Sequence, residues 1–333
     1  MARARLLAIV RTYAERAVLI AVPLVSGACG SAATGPASRV MHPSGDSLSW
    51  LSLDGAPYGV SVSPGGTFYV TQVQARAVMR GTVTDDDQHF SGSLAVGDLP
   101  WNVALNPAGT MAFVANYGGN SVSVVDVSGD SIVATVPLPA GATNVLFSPD
   151  GRQAFVSTTG DHLYFMDPGN PQTPTSVLVG PTVKGLAFAV GPQLLYAASE
   201  AAASVMVIDP NAHTVLRTYA VSQSPEGIAV STDGSKVYIA SNITGLEVLD
   251  TATGDRTPVP GVGPGAEDVA LTPDGEQLYV SFPYPGLVQV IDCRSLAVVR
   301  TVMQGSAPHG IAFDATGGTA VIADDMGRVY FVR

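Results

Sequence analysis

One block of residues recurs seven times along this chain, and that repetition limits what the chain can fold into more than any other feature. The block opens with a Pro or small residue, a variable residue, and a Gly or polar residue. Alternating apolar positions and a Pro-Asp-Gly-like turn follow. Its copies begin Tyr58-Gly59-Val60, Trp101-Asn102-Val103, Thr143-Asn144-Val145, Lys184-Gly185-Leu186, Glu226-Gly227-Ile228, Glu267-Asp268-Val269 and His309-Gly310-Ile311. The middle residues stand at 59, 102, 144, 185, 227, 268 and 310, so the intervals are 43, 42, 41, 42, 41 and 42. A unit this short cannot bury its apolar face alone. The copies must stack on one another to make a continuous core.

Within a copy the pattern is that of four strands. In the second, the apolar segments Val103–Leu105, Met111–Ala115, Val122–Val125 and Ile132–Leu138 alternate with turn residues. Pro149-Asp150-Gly151, Thr232-Asp233-Gly234 and Pro273-Asp274-Gly275 each supply the glycine that a short bulged hairpin needs at positive φ. The fourth copy departs from this, with Val190-Gly191-Pro192-Gln193, and its hairpin is expected to differ. Strands rich in Val, Ile and Tyr suit a sheet covered on both faces. The expected fold is all-β: a seven-bladed β-propeller with four antiparallel strands per blade.

The two ends of the chain complement each other. The seventh copy supplies three strands (Ile311–Phe313, Thr319–Ala323, Arg328–Val332) and then stops at Arg333. The missing fourth strand has a counterpart in Ser47–Leu53, just ahead of the first copy. Pairing that segment beside Tyr330 would complete the last blade, close the ring and remove an exposed sheet edge. The propeller is therefore expected to span residues 47–333.

Ahead of it, Arg3, Arg5, Arg11 and Arg16 precede an apolar run from Ala17 to Val25, too short to span a bilayer comfortably. Residues 1–28 are expected to be a signal peptide. Leu24-Val25-Ser26-Gly27-Ala28-Cys29 resembles a bacterial lipobox, although Ser26 stands where an aliphatic residue is usual. Cys29 is thus the expected lipidation site, with ordinary secretion as the alternative. The Ser/Gly/Pro-rich stretch 29–46 reads as a tether. Cys293 is the other cysteine beyond the signal segment, so no disulfide framework is expected and Cys293 reads as a packing residue.

The chain carries 16 Lys and Arg against 27 Asp and Glu, a net charge of −11. Removal of the signal segment, itself +3, leaves −14. Nucleic-acid binding, which relies on cationic surface, is excluded on this ground. No CxxCH stands in the sequence, which excludes covalent c-type haem. No Ser-His-Asp or Cys-His arrangement emerges from the spacing.

The run Ala115-Asn116-Tyr117-Gly118-Gly119-Asn120-Ser121-Val122-Ser123-Val124-Val125-Asp126, followed by Val133-Ala134-Thr135-Val136, resembles the YVTN-type β-propeller repeat of bacterial and archaeal surface proteins. Partial copies stand at Val70-Thr71, Ile239–Asn242 and Tyr279–Ser281. The resemblance covers residues 47 to 333. It implies a propeller at the cell surface or in the periplasm. For function it implies little, since the family includes surface-layer and periplasmic proteins and has relatives among lactonases and redox-enzyme propellers.

Two sets of residues invite a chemical reading. Asp126, Asp167, Asp209, Asp250 and Asp292 share one repeat position at the end of the third strand. They are expected to cap the following turn through the backbone rather than to bind metal. The second set opens each innermost strand and should ring one mouth of the central channel: Tyr58, Trp101, Thr143, Lys184, Glu226, Glu267 and His309. A purely structural repeat position tends to hold one residue type, and this one holds six. Glu200, Asn242, Asp324 and Asp325 should flank it from the loops between second and third strands. Tyr58, Trp101, Lys184, Glu226, Glu267 and His309 are the candidate ligand-binding residues. Glu226, Glu267 and His309 are the candidate ligands for a divalent cation. No other cofactor is expected.

The leading expectation is an exported, lipid-anchored, monomeric module that binds a protein or small molecule without catalysis. The alternative is a lactonase- or lyase-like enzyme with a cation at the channel mouth.

Overall fold

The computed structural model describes residues 38–41 as backbone, and residues 47–84 and 87–333 with their side chains. The expected signal segment 1–28, Cys29 and most of the expected tether, His42 included, lie outside the described residues.

All regular structure among the described residues is β, arranged as seven antiparallel sheets around a ring. Blade 1 runs Pro57–Val62, Thr67–Gln72, Ala77–Val83 and Gln88–Ala95, and blade 2 runs Pro100–Leu105, Met111–Asn116, Ser121–Asp126 and Ser131–Pro137. The chain passes through the strands of each blade in order, from channel to rim. The innermost strands start a few residues earlier than the apolar pattern alone marks, so Trp101 is the second residue of its strand rather than its lead-in.

Blade 7 takes Pro308–Phe313, Ala320–Asp324 and Arg328–Val332 from the C-terminus. Ser47–Ser52 completes it, with Trp50 opposite Tyr330. Ser38–Met41, inside the stretch read as a tether, adds a fifth strand against Ser47–Ser52. Ring closure is also a packing event. Phe68 of blade 1 meets Phe331 of blade 7 edge-to-face at 5.6 Å, in one cluster with Leu51 and Leu53. Fully buried rings paired this way add about 0.5–1.5 kcal/mol beyond their burial.

Second and third strands are covered by neighbouring blades on both faces, and Ala112, Phe113, Val114 and Ala115 have no exposed surface. Fourth strands have one wet face, as in Ser131–Pro137. The Gly-or-polar position of the repeat has a physical cause. Innermost strands of adjacent blades approach so closely there that a Cβ on Gly227 would lie 2.8 Å from the Glu267 carbonyl oxygen, and one on Gly310 would lie 2.7 Å from that of Tyr58. Where the residue is polar it makes the inter-blade bond itself. Asn144 Nδ2 donates to the Lys184 carbonyl (3.0 Å), and the Ile311 amide donates to Asp268 Oδ2 (3.0 Å).

The five repeat-position aspartates cap their turns. Asp250 Oδ1 accepts from the amides of Ala252 and Thr253 (both 2.9 Å), and Asp209 Oδ1 from those of Asn211 (2.8 Å) and Ala212 (3.0 Å). Asp126, Asp167 and Asp292 do the same for Ser128, Gly169 and Ser295. In the irregular fourth hairpin the left-handed position falls on Gln193 (φ 56°), where the six other blades use Gly66, Gly109, Gly151, Gly234, Gly275 and Gly317. Cys293 is a free, buried thiol within the core between blades 5 and 6.

Candidate functional site at the channel mouth

The residues that open the innermost strands lie in a ring, as the repeat implies, but they separate into an aromatic arc and two charged clusters. On blades 1 and 2, Tyr58 stacks on the His309 imidazole with centroids 4.3 Å apart. Trp101 meets Tyr58 edge-on at 5.2 Å and Tyr117 at 4.4 Å. Tyr117 comes from the loop after the second strand of blade 2. It was legible as a mouth residue only by extending to every blade the loop logic that flagged Glu200. The aromatic residues therefore pack against one another. Thr143 is buried, donating to the Val183 carbonyl (2.6 Å) and lying 2.9 Å from Ser157 Oγ.

The first charged cluster joins blades 6, 7 and 1. His309 Nδ1 lies 2.7 Å from Glu267 Oε1, and the Tyr58 hydroxyl donates to the same oxygen at 2.6 Å. On the far side of the ring, His309 Nε2 is 3.4 Å from Asp325 Oδ2. Burial alone would drive the proton off His309. The adjoining Glu267 and Asp325 carboxylates outweigh it and push the pKa up to about 10. Burial likewise opposes ionisation of Glu267, but the imidazolium and the Tyr58 hydroxyl hold its pKa below the usual carboxylate value. Tyr58 is raised well above an ordinary phenol by burial and by Glu267. This cluster is an ion pair with both partners locked in their charged forms.

The second cluster joins blades 4 and 5. Lys184 Nζ lies 2.7 Å from Glu226 Oε2 and 3.0 Å from Glu200 Oε2, while Ser224 Oγ sits 3.5 Å from an oxygen of each. Lys184 is partly desolvated, which favours loss of its proton, but the two carboxylates more than compensate and raise its pKa. Glu226 moves the other way from a simple ion-pair partner. Burial pushes it up to about 7, against the pull of Lys184 and with help from the Glu200 and Glu267 charges. One ammonium shared by two carboxylates cannot fully stabilise both. Glu226, with 10% of its side chain exposed against 33% for Glu200, is the one that takes up a proton near neutrality.

Asp268, beside Glu267, is raised by burial to about 6 although the amides of Ile311 and Val269 donate to it. Asp324 is fully buried and accepts from Ala307 and Met326, with its second oxygen unpartnered. Asn242 is exposed.

The candidate cation ligands are thus divided between two networks. Glu226 faces Lys184, whereas Glu267 and His309 face each other. Among the described residues no group of three or more His, Cys, Asp or Glu side chains is arranged to hold a metal ion. His309 has both ring nitrogens engaged and stays protonated through neutral pH, so it cannot act there as a general base. Glu226 is the group of this rim whose proton exchanges near pH 7.

No protein-family model matches the chain. The uncharacterized protein YwhL of Bacillus subtilis is 25% identical over 236 residues, which is 65% of this chain and 49% of that protein. The match therefore spans about half the length of that curated relative. Among solved structures, Kuenenia stuttgartiensis hydrazine synthase superposes with a TM-score of 0.75 at 19% identity, covering 85% of this chain and 96% of that chain. At that identity the likeness shows the β-propeller fold and nothing further.

Proposed function

We propose that this β-propeller is an exported, lipid-anchored protein of the YVTN repeat type. It acts as a monomeric binding module for a protein or small molecule, without catalysis. The observation that carries the non-enzymatic reading is the state of the channel mouth, where His309, Glu267, Tyr58 and Lys184 are spent on partners within the rim and Glu226, the one group that exchanges a proton near pH 7, is itself held by Lys184 at 2.7 Å. Catalytic groups are usually poised to exchange a proton near the working pH, with room for substrate beside them. Here His309 and Glu267 are held charged, and Tyr58 and Lys184 are held protonated. Such a rim presents fixed charge and aromatic surface. The Arg-rich start, the short apolar run and the lipobox-like Leu24–Cys29 support export and anchoring.

Two measurements test this reading. Intact-mass analysis of the envelope protein should find an acylated N-terminus at Cys29, and Cys29→Ala should move the protein to the soluble fraction. An unmodified, uncleaved N-terminus would refute the anchor. Incubation with lactone substrates in the presence of divalent cations should give no turnover. Turnover that is lost in Glu226→Gln would establish the enzymatic alternative instead.

A further inference from the structure

The loops between second and third strands open on the channel-mouth face, and on blades 5, 6 and 7 each carries an exposed apolar side chain. Ile243 (54% exposed) lies between Lys236–Ser241 and Gly245–Asp250 of blade 5. Tyr284 (55%) lies between Gln277–Phe282 and Leu287–Asp292 of blade 6, and Met326 (72%) between Ala320–Asp324 and Arg328–Val332 of blade 7. Backbone contacts join the three loops into one band. The Gly265 amide donates to the Asn242 carbonyl (2.8 Å), and a Cβ on Gly265 would lie 2.6 Å from the Tyr284 carbonyl oxygen. Further round, the Ser306 amide donates to the Gly286 carbonyl (3.3 Å) and the Asp325 amide to that of Ala307 (3.2 Å).

The linking segments Gly263-Pro264-Gly265 and Gly305-Ser306-Ala307 carry neither charge nor bulk, so they do not screen the apolar tips from a partner. The matching loops of blades 1 to 3 hold Gln74-Ala75-Arg76, Gly118-Gly119-Asn120 and Thr159-Gly160-Asp161, with no large apolar side chain at their tips. Apolar exposure is thus gathered on one side of the mouth. Single exposed apolar residues need no explanation, but a contiguous group marks an interaction surface. Tyr and Met are also among the side chains enriched where proteins meet. At the blade 4 end of the band, Ile243 walls a cleft of about 510 Å³ with Glu200, Ala201, Ala203, Gln223 and Ser224.

Charge decides what covers this arc. Each neighbouring rim cluster sets two carboxylates against one cation: Glu226 and Glu200 around Lys184, and Glu267 and Asp325 around His309. Arg76, across the mouth, is already paired with Asp98 at 3.0 Å. The surface beside the apolar tips therefore leans negative. An anionic lipid surface would be repelled, and so would the same face of a second copy in a two-fold pair. A cationic segment is attracted. We propose that this arc docks a partner protein through a segment that interleaves large apolar side chains with Lys or Arg. The inference rests on the binding-module reading above and names the chemistry of its partner. The apolar side chains cover Ile243, Tyr284 and Met326, and the cations lie toward the acidic clusters, one of them in the cleft beside Glu200.

The test is selection of a phage-displayed library of random dodecapeptides on the full chain, followed by fluorescence anisotropy with the enriched peptides. Enriched sequences should combine Lys or Arg with Leu, Ile, Phe, Met or Trp, and their affinity should fall as NaCl rises. A synthetic copy with each Lys and Arg replaced by Glu should bind at least about tenfold more weakly. The double variant Ile243→Ser, Met326→Ser should also bind at least about tenfold more weakly, with its Tm unchanged, because both side chains lie on the surface. Leu216→Ser, which removes a similarly exposed side chain from the outer strand of blade 4, should bind as the wild type does. No enrichment, enrichment of acidic or uncharged sequences, or equal binding by the double variant would each overturn the proposal. So would association with phosphatidylcholine or phosphatidylglycerol vesicles, or self-association in sedimentation, that the double variant abolishes. Peptides that bind wild type and double variant alike would remove the arc and leave the binding-module reading standing, whereas lactone turnover would remove that reading itself.

Discussion

Replacing His309 by Phe separates the charge of this side chain from its shape. The phenyl ring can keep the stack on Tyr58, but Glu267 then remains at the blade 6–7 junction with the Tyr58 hydroxyl as its close partner and only the more distant Lys184 charge to favour its ionised form. Removing one member of a buried pair costs about 3–5 kcal/mol, because the remaining charge is uncompensated. His309 has 10% and Glu267 22% of its side chain exposed, so the pair is largely sheltered from solvent screening. The pH dependence is the sharper signature. His309 titrates near 10 in the folded protein and near 6.5 when unfolded. A raised pKa gives stability that is complete below the unfolded value and is lost as pH rises through the folded one. Between pH 7 and 9 the wild type should therefore lose about 1.4 kcal/mol per pH unit relative to the variant. Urea unfolding at pH 7, 8 and 9, followed through tryptophan fluorescence, measures this directly, since Trp101 touches Tyr58. Parallel pH profiles for the two proteins, or a cost below about 1 kcal/mol at pH 7, would refute the buried ion pair.

Three further outcomes are expected. Lys184→Gln should raise the Glu226 titration above its value of about 7, because the ammonium opposes the burial that drives it upward; carbon-13 NMR of the side-chain carboxyl follows the shift. Gly310→Ala should destabilise the ring by about 1–3 kcal/mol, since the added Cβ would meet the Tyr58 carbonyl at 2.7 Å, and a Tm unchanged from wild type would count against the close contact of blades 7 and 1. Ca²⁺ or Zn²⁺ at millimolar concentration should leave the Tm where it is, because Glu226 and the Glu267–His309 pair already have partners; a saturable rise would revive the cation site.

The scaffold was largely legible in the sequence because it depends on backbone geometry repeated at fixed spacing. The 42-residue period gave the number of blades, the truncated seventh copy pointed to Ser47–Leu53, and the aspartate ending five of the third strands announced a turn cap. The same spacing placed Tyr58, Trp101, Glu226, Glu267 and His309 around one opening. It could not say which of them touch, because pairing depends on side-chain torsions and on the identity of the next blade. Hence Glu226 turned toward Lys184 and away from the Glu267–His309 pair. The alternation of Gly with Asn or Asp in the third position was visible, but its cause lies in the approach of two backbones. The strand Ser38–Met41 lies in a stretch whose Ser, Gly and Pro content gives no apolar alternation to read.

Closure of the ring by the N-terminal strand orients the mouth and everything around it, and cross-linking tests it most directly. Ser52 and Arg328 are register partners at the exposed end of this pairing. Opposed residues of an antiparallel pair lie about 4.5–5.5 Å apart at Cα, within disulfide reach. In the double variant Ser52→Cys, Arg328→Cys, mild oxidation should form an intramolecular disulfide in nearly all molecules, seen as faster migration on non-reducing gels and a raised Tm. Thiols that stay reduced, or that link only between molecules, would mean that the first strand of the propeller does not complete its last blade.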